Sequence, residues 1–162
     1  MSTTTVRPPA VAGMFYPGTA ERLGEEVGDL LGQAHDAGLA AVCALIAPHA
    51  GYRYSGPIAA SAYRQLHLPP SQGGRTVYLL GPAHYVHVDS VALSPVDAFA
   101  TPLGRVAQNR TAVASLADAD RTYQFLPLAH DPEHCLEVQL PFLQATLAEE
   151  FDMVAMLCGD DP

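Results

Sequence analysis

Cationic residues are scarce in this chain. Eight Lys and Arg stand against seventeen Asp and Glu, giving a formal charge of −9 over 162 residues. The eight are scattered singly from Arg7 to Arg121, so no basic patch exists to neutralise a phosphate backbone, and nucleic acid is excluded as a partner. Long apolar runs are missing too. The longest, Leu39 to Ala47, is too short to span a bilayer, and the start Met-Ser-Thr-Thr-Thr-Val-Arg-Pro-Pro has no apolar stretch behind its charge. No membrane association or export is expected. Cysteine is sparse: Cys43, Cys135 and Cys158 are odd in number and far apart, which gives no disulfide framework and suits a reducing, cytoplasmic compartment. Internal repeats, low-complexity tracts and dividing linkers are also absent. With 49% apolar and 15% charged residues, the expectation is one globular domain over residues 1–162.

What is present reads as an α/β pattern. Thr19 can cap a helix whose apolar positions Leu23, Val27, Leu30, Leu31 and Ala34 recur at helical spacing. Gly24, Gly28 and Gly32 form a stripe along it, marking either a close backbone approach or a frayed surface. Val42 to Ala47 follows without polar alternation, the pattern of a strand covered on both faces. Ser55-Gly-Pro57 offers a helix start that runs to Pro69-Pro70, and Thr76 to Leu80 is a second continuous apolar strand. Strand, helix, strand predicts a parallel crossover. Shorter strands are expected at Ser90–Ser94 and Gly104–Ala107. Asn109 can cap a helix reaching Ala117, and Asp131-Pro132 can open one over residues 133–149, broken at Pro141. A final strand is expected at Asp152–Cys158. The fold class is α/β with a mostly parallel central sheet flanked by helices.

Both apolar strands run into a proline and then a histidine, Ile46-Ala-Pro-His49 and Leu80-Gly-Pro-Ala-His84. In open α/β sheets ligands bind beyond the carboxyl ends of strands. If the two strands are neighbours, their histidines sit about 5 Å apart and can converge on one ion; with one strand between them the separation is about 10 Å. Gly51 and Gly81 then suit tight turns or a close-lying ligand. A third cluster is His130-Asp-Pro-Glu-His-Cys-Leu-Glu137, where His134 and Glu137, at i and i+3, can share a metal or a proton. Simpler readings stand beside these: strand-end histidines as hydrogen-bonded structural residues, and Glu133 and Glu137 as first-turn charges favoured by the helix dipole. His87 can flank the site, whereas His35, His67 and His130 read as surface or loop residues. Cys43 reads as core and Cys135 as an ordinary helix residue. Tyr52, Tyr54 and Tyr85 can wall a pocket.

Five segments occur in an order and spacing that resemble the Memo family, whose bacterial members are called AmmeMemoRadiSam system protein B. They are Val6-Arg-Pro-Pro-Ala-Val-Ala-Gly-Met-Phe-Tyr-Pro17, Ala47-Pro-His-Ala-Gly-Tyr52 with Tyr54-Ser-Gly56, Leu80-Gly-Pro-Ala-His84, Thr101-Pro-Leu-Gly104 and Glu133-His-Cys-Leu-Glu-Val-Gln-Leu-Pro-Phe142. The resemblance implies a fold similar to the class III, LigB-like extradiol dioxygenases. It implies a divalent metal, iron(II) first and copper second, held by His49 and His84. His134 looks like the acid/base histidine, with Glu137 beside it as a catalytic candidate. The activity implied is that of a metal-dependent oxidoreductase on an unidentified small-molecule substrate. The alternatives are a binding module for a small molecule or peptide, without turnover, and an inactive truncated fragment.

The chain departs from that family by stopping at about half its usual length, so the C-terminal half of the domain is expected to be lacking. Two histidines alone rarely hold a first-row metal. Glu137 or Asp160 can complete the set locally, or a second polypeptide can supply the rest. A parallel sheet with one face uncovered is expected to associate, as a homo-oligomer or with a complementary C-terminal chain.

Overall fold

The structure, a computed structural model, describes residues 4–40, 42–66, 74–147 and 151–159. A curled mixed sheet of seven strands runs through it, flanked by helices. Its central member is the last strand, β7 (Phe151–Cys158), whose residues Met153 to Leu157 are all buried. Along one edge β7 pairs in parallel with the whole of β2 (Arg75–Pro82). Along the other it pairs in parallel with the end of β5 (Gly104–Gln108) and then antiparallel with β3 (Val91–Leu93). β4 (Ala98–Thr101) returns antiparallel on β5 and carries β1 (Val6–Arg7) in parallel, while β6 (Tyr123–Phe125) lies in parallel on β3. Parallel ladders predominate, and two antiparallel ones make the sheet mixed.

The core forms where helices cover this sheet. Helix α1 (Ala20–Gln33) buries Leu23 and Val27 completely and packs against α2 (Tyr52–Tyr63) and α5 (Leu140–Thr146). The α1–α2 contact is close enough that a Cβ at Gly56 would come within 2.9 Å of Leu30 Cδ1. α3 (Arg110–Ala119) is capped as expected, Asn109 Oδ1 accepting from Ala112 N–H at 2.9 Å. Val113 on α3 joins Leu93, Val154 and Met156 in a second, smaller apolar cluster.

Several expectations are corrected. Residues 42–47 form no strand: no ladder reaches them among the described residues, and Ile46 is fully exposed. A cavity of about 540 Å³ lies between residues 42–45 and β2, where Arg75 to Leu79 line its other side. Apolarity alone does not make a strand when no partner backbone comes within hydrogen-bonding distance. The predicted crossover therefore loses its first strand, and Cys43 is exposed rather than core. Helix α2 starts earlier than expected, with Gly51 as N-cap and Pro57 inside. The prolines at 69 and 70 lie outside the described residues.

The long helix from residue 133 is replaced by a turn, a 3-10 segment (Glu137–Gln139) and then α5, with Pro141 in its first turn where its missing N–H costs nothing. A short α4 (Pro127–His130) precedes it, and His130, expected at the surface, is 2% exposed. In the glycine stripe of α1, Gly28 and Gly32 face open space, so no backbone approaches there. No helix among the described residues is long and apolar enough to cross a membrane.

Candidate metal centre

Three imidazoles meet at one hollow. The His49 and His84 ring centroids are 5.2 Å apart, His84 and His134 4.7 Å, and His49 and His134 6.0 Å. Two imidazoles sharing an ion at about 2 Å from each nitrogen have ring centres on the order of 5 Å apart, the spacing of the His49–His84 and His84–His134 pairs, although His49 does not join the group whose ligand atoms lie mutually close. Phe15 and Tyr85 close the far side of His134, with centroids at 4.7 and 5.9 Å.

The rings arrive by different means. β2 delivers His84 two residues past its end, after Ala83 N–H makes a last bond to the Cys158 carbonyl at 2.9 Å. His49 follows a segment without a ladder and is fixed by side-chain and backbone bonds to its neighbours. Gln139 Nε2 donates to the Pro48 carbonyl at 3.0 Å, Ser55 Oγ donates to the Ala50 carbonyl at 3.0 Å, and Tyr52 N–H donates to the Phe15 carbonyl at 2.7 Å. Tyr63 OH in turn donates to Gln139 Oε1 at 2.8 Å.

Glu133, 3% exposed, is the group that sequence reasoning undervalued. Its carboxylate receives His84 N–H at 2.7 Å, His134 N–H at 2.8 Å, Cys135 N–H at 3.0 Å and faces His84 Nδ1 at 2.9 Å. Burial by itself would raise its pKa; the backbone and ring hydrogen bonds to His84, Cys135 and His134 outweigh that and lower it to about 2. It is a carboxylate shared by His84 and His134. Ligand atoms of His84, Glu133 and His134 lie within 4.8 Å of one another.

Burial lowers the pKa of His134 and of His49, with neighbouring rings pressing the same way and Glu133 opposing. Both rings lean toward the neutral form that can donate a lone pair. Burial pushes the Cys135 thiol up, and its Sγ contacts the Pro82 carbonyl at 3.2 Å. That thiol packs where a Gly81 Cβ would stand, 2.5 Å from Cys135 Sγ. The close approach at Gly81 is therefore to protein.

Glu137 sits elsewhere. Its oxygens accept from Ala10 N–H at 2.7 Å, Val11 N–H at 3.0 Å, Tyr16 OH at 2.5 Å and Arg7 Nη1 at 2.6 Å, all but the first buried. Arg7 also donates to the His130 carbonyl at 2.7 Å and to the carbonyl of Glu133. With its lone pairs occupied, Glu137 ties the N-terminal segment to the 130–137 loop and offers neither a metal ligand nor an acid/base group. Asp160, the other carboxylate considered, lies outside the described residues, as does His67.

His87 is exposed and pairs with Asp89 at 2.6 Å, apart from the site. Of the three tyrosines, only Tyr85 touches the rings; Tyr54 is exposed, and Tyr52 packs in the core with its OH on the Val138 carbonyl at 2.8 Å. Phe15 was missed because nothing in its local pattern links it to a histidine 119 positions away.

Fold and site together define a mixed α/β protein with a histidine cluster and one buried carboxylate behind it. The Memo-like protein family matches residues 7–161, and the chain belongs to the Memo family. Relatives include a MEMO1 family protein of Ignicoccus hospitalis, 37% identical over 168 residues, covering 94% of this chain and 56% of that protein. Another from Nitrosopumilus maritimus is 32% identical over 160 residues, with 96% and 57% covered. Protein MEMO1 of Danio rerio is 35% identical over 152 residues, with 91% and 50% covered. The chain spans about half the length of the curated relatives it matches.

Proposed function

We propose that this chain carries the metal-holding half of an oxidoreductase resembling the extradiol dioxygenases, acting on a small molecule. The observation that supports it is the gathering of His49, His84 and His134 within 6.0 Å of one another over a buried carboxylate. His49 and His84 would hold the ion, and the imidazole donor set suits iron(II) or copper. A bound ion of this kind supplies redox chemistry and open positions for substrate oxygen and dioxygen. His134, enclosed by Phe15 and Tyr85, holds or takes the proton that moves during reaction. Phe15 and Tyr85 on that side present aromatic faces to the substrate.

The test is metal content. Protein purified without chelators is expected to retain iron or copper near one equivalent, and the His49→Ala/His84→Ala double variant to retain none. A wild-type protein that holds no redox-active metal overturns this reading in favour of a pocket that binds without turnover.

Association belongs to the same proposal. Ile46, Tyr78 and Leu80 are exposed around the open side of β2, and apolar surface of this kind favours a partner chain or a second copy. Light scattering showing a monomer at all concentrations, with no dye-accessible apolar surface, would overturn it.

A further inference from the structure

We propose that Glu133 is the positioning residue of this cluster: it places the proton of His84 on Nδ1 and leaves Nε2 as the nitrogen with the lone pair. Use of that lone pair for a metal rests on the function proposed above; the placement of the proton does not.

Backbone N–H can only donate. Three of them end on Glu133: His84 N–H on Oε2 at 2.7 Å, and His134 N–H and Cys135 N–H on Oε1 at 2.8 and 3.0 Å. Oε1, with two of those donors and the His84 ring on it, has no room for a proton, and the three N–H dipoles together favour the charged form. The side chain is therefore an ionised acceptor. His84 Nδ1 lies 2.9 Å from Oε1, and against an acceptor the ring nitrogen must donate. A neutral imidazole has one N–H, so Nε2 carries the lone pair.

The same oxygen biases His134. Its Nδ1 is buried, lies 3.2 Å from Oε1 and has no hydrogen-bond partner of good geometry. At that distance a lone pair is repelled by the anionic oxygen and an N–H is attracted to it, although neither is aimed straight at it. The two rings stack at 4.7 Å and 23°, the arrangement of two imidazoles set side by side on one carboxylate.

Glu133 could instead be read as a third ligand, since its oxygens lie among the ring nitrogens. Its coordination argues against that at Oε1, which already accepts from His134 N–H and Cys135 N–H and faces His84 Nδ1, so that an ion on that oxygen would displace one of them; among the described residues Oε2 accepts only from His84 N–H. Carboxylates standing behind metal-binding histidines commonly act this way, fixing tautomer and ring orientation.

The experiment is long-range nitrogen-15 NMR of the histidine rings in metal-free protein at pH about 8, above the ordinary imidazole range, with His84→Ala assigning the signals. His84 is expected to show a protonated Nδ1 and an unprotonated Nε2, and Glu133→Gln to mix the two tautomers. The wild-type spectrum decides even if no variant folds: an Nε2–H tautomer at His84 overturns the assignment.

Titration with cobalt(II) or zinc alone is the second readout, with Glu133→Gln expected to weaken binding about 10- to 100-fold. An unchanged affinity, with the tautomer undisturbed in the variant, overturns the positioning role. A wild-type Nδ1–H tautomer without any metal binding leaves the proton placement standing and removes the metal reading. Metal bound through a histidine that is Nε2–H before loading does the reverse.

Discussion

The two histidine-bearing segments share one sequence grammar and fold differently. Thr76–Leu80 and Val42–Ala47 are both apolar runs that end at a proline and then a histidine. The first becomes β2, paired along its whole length with β7; the second has no ladder among the described residues and carries a fully exposed Ile46. Both still bring their rings to the same hollow, 5.2 Å apart. Hydrophobicity prepared each segment for burial, but a strand exists only where another backbone accepts its bonds. On the His49 side, three side-chain and loop bonds take over the work of a ladder.

The largest effect should come from removing what both sides depend on. Glu137→Ala strips a buried Arg7 of its partner, and breaking such a pair costs about 3–5 kcal/mol. Urea unfolding is expected to show a loss of that size, and both histidine arms should loosen together. A loss confined to activity, with stability unchanged, would return Glu137 to the catalytic candidates.

Acid should come next. Burial, with Arg7 adding to it, holds His130 down to about 4 despite its bond to the Ala92 carbonyl and the nearby Asp131 and Glu133. The unfolded chain binds that proton near 6.5, so between about 6.5 and 4 the unfolded state holds more protons and stability falls as pH falls. The contribution is complete above 6.5 and amounts to on the order of 3 kcal/mol. His49 and His134, lowered likewise, slope the same way. Urea midpoints from pH 7 to 4.5 are expected to fall steadily, and His130→Gln to flatten the slope without abolishing it.

A pair of variants separates the arms. Gly81→Ala drives a methyl into Cys135 Sγ and is expected to cost about 1–3 kcal/mol as overpacking, partly relieved by Cys135→Ala, with amide exchange rising around His84. Gln139→Ala removes the donor to Pro48 and leaves Tyr63 OH without its acceptor, for about 1–2 kcal/mol, with exchange rising around His49 instead. Identical exchange patterns would collapse the distinction between the arms. The smallest effect belongs to Ile46→Ala, expected within about 0.5 kcal/mol of wild type, because that side chain touches nothing that folding buries.

Much of this was legible beforehand where local rules and burial agree. β7, α1 and the Asn109 cap of α3 follow from a continuous apolar run, a helical period and a capping side chain. His49 and His84 do come together, but not for the reason their pattern offered, neighbouring strand ends, since residues 42–47 form no strand. The failures share a cause. β1, β4 and β6 are short segments that become strands through pairing rather than pattern. The buried His130, the Arg7–Glu137 lock and the orienting Glu133 are set by contacts as much as 130 positions apart. Glu133 and Glu137 look alike in sequence, one helical turn apart; only the donors arriving from the rest of the chain give one to the histidines and the other to Arg7.

The exposure of Cys43 turns the unladdered segment into its own reporter. Cys135 is enclosed with a thiol held protonated, and Cys158 is half covered at the end of β7, so a maleimide fluorophore at low dose will attach at residue 43 first. Sitting at the mouth of the cavity beside β2, that label will change colour and mobility when anything settles there. The chain thus needs no engineered cysteine for following the arrival of a partner in real time.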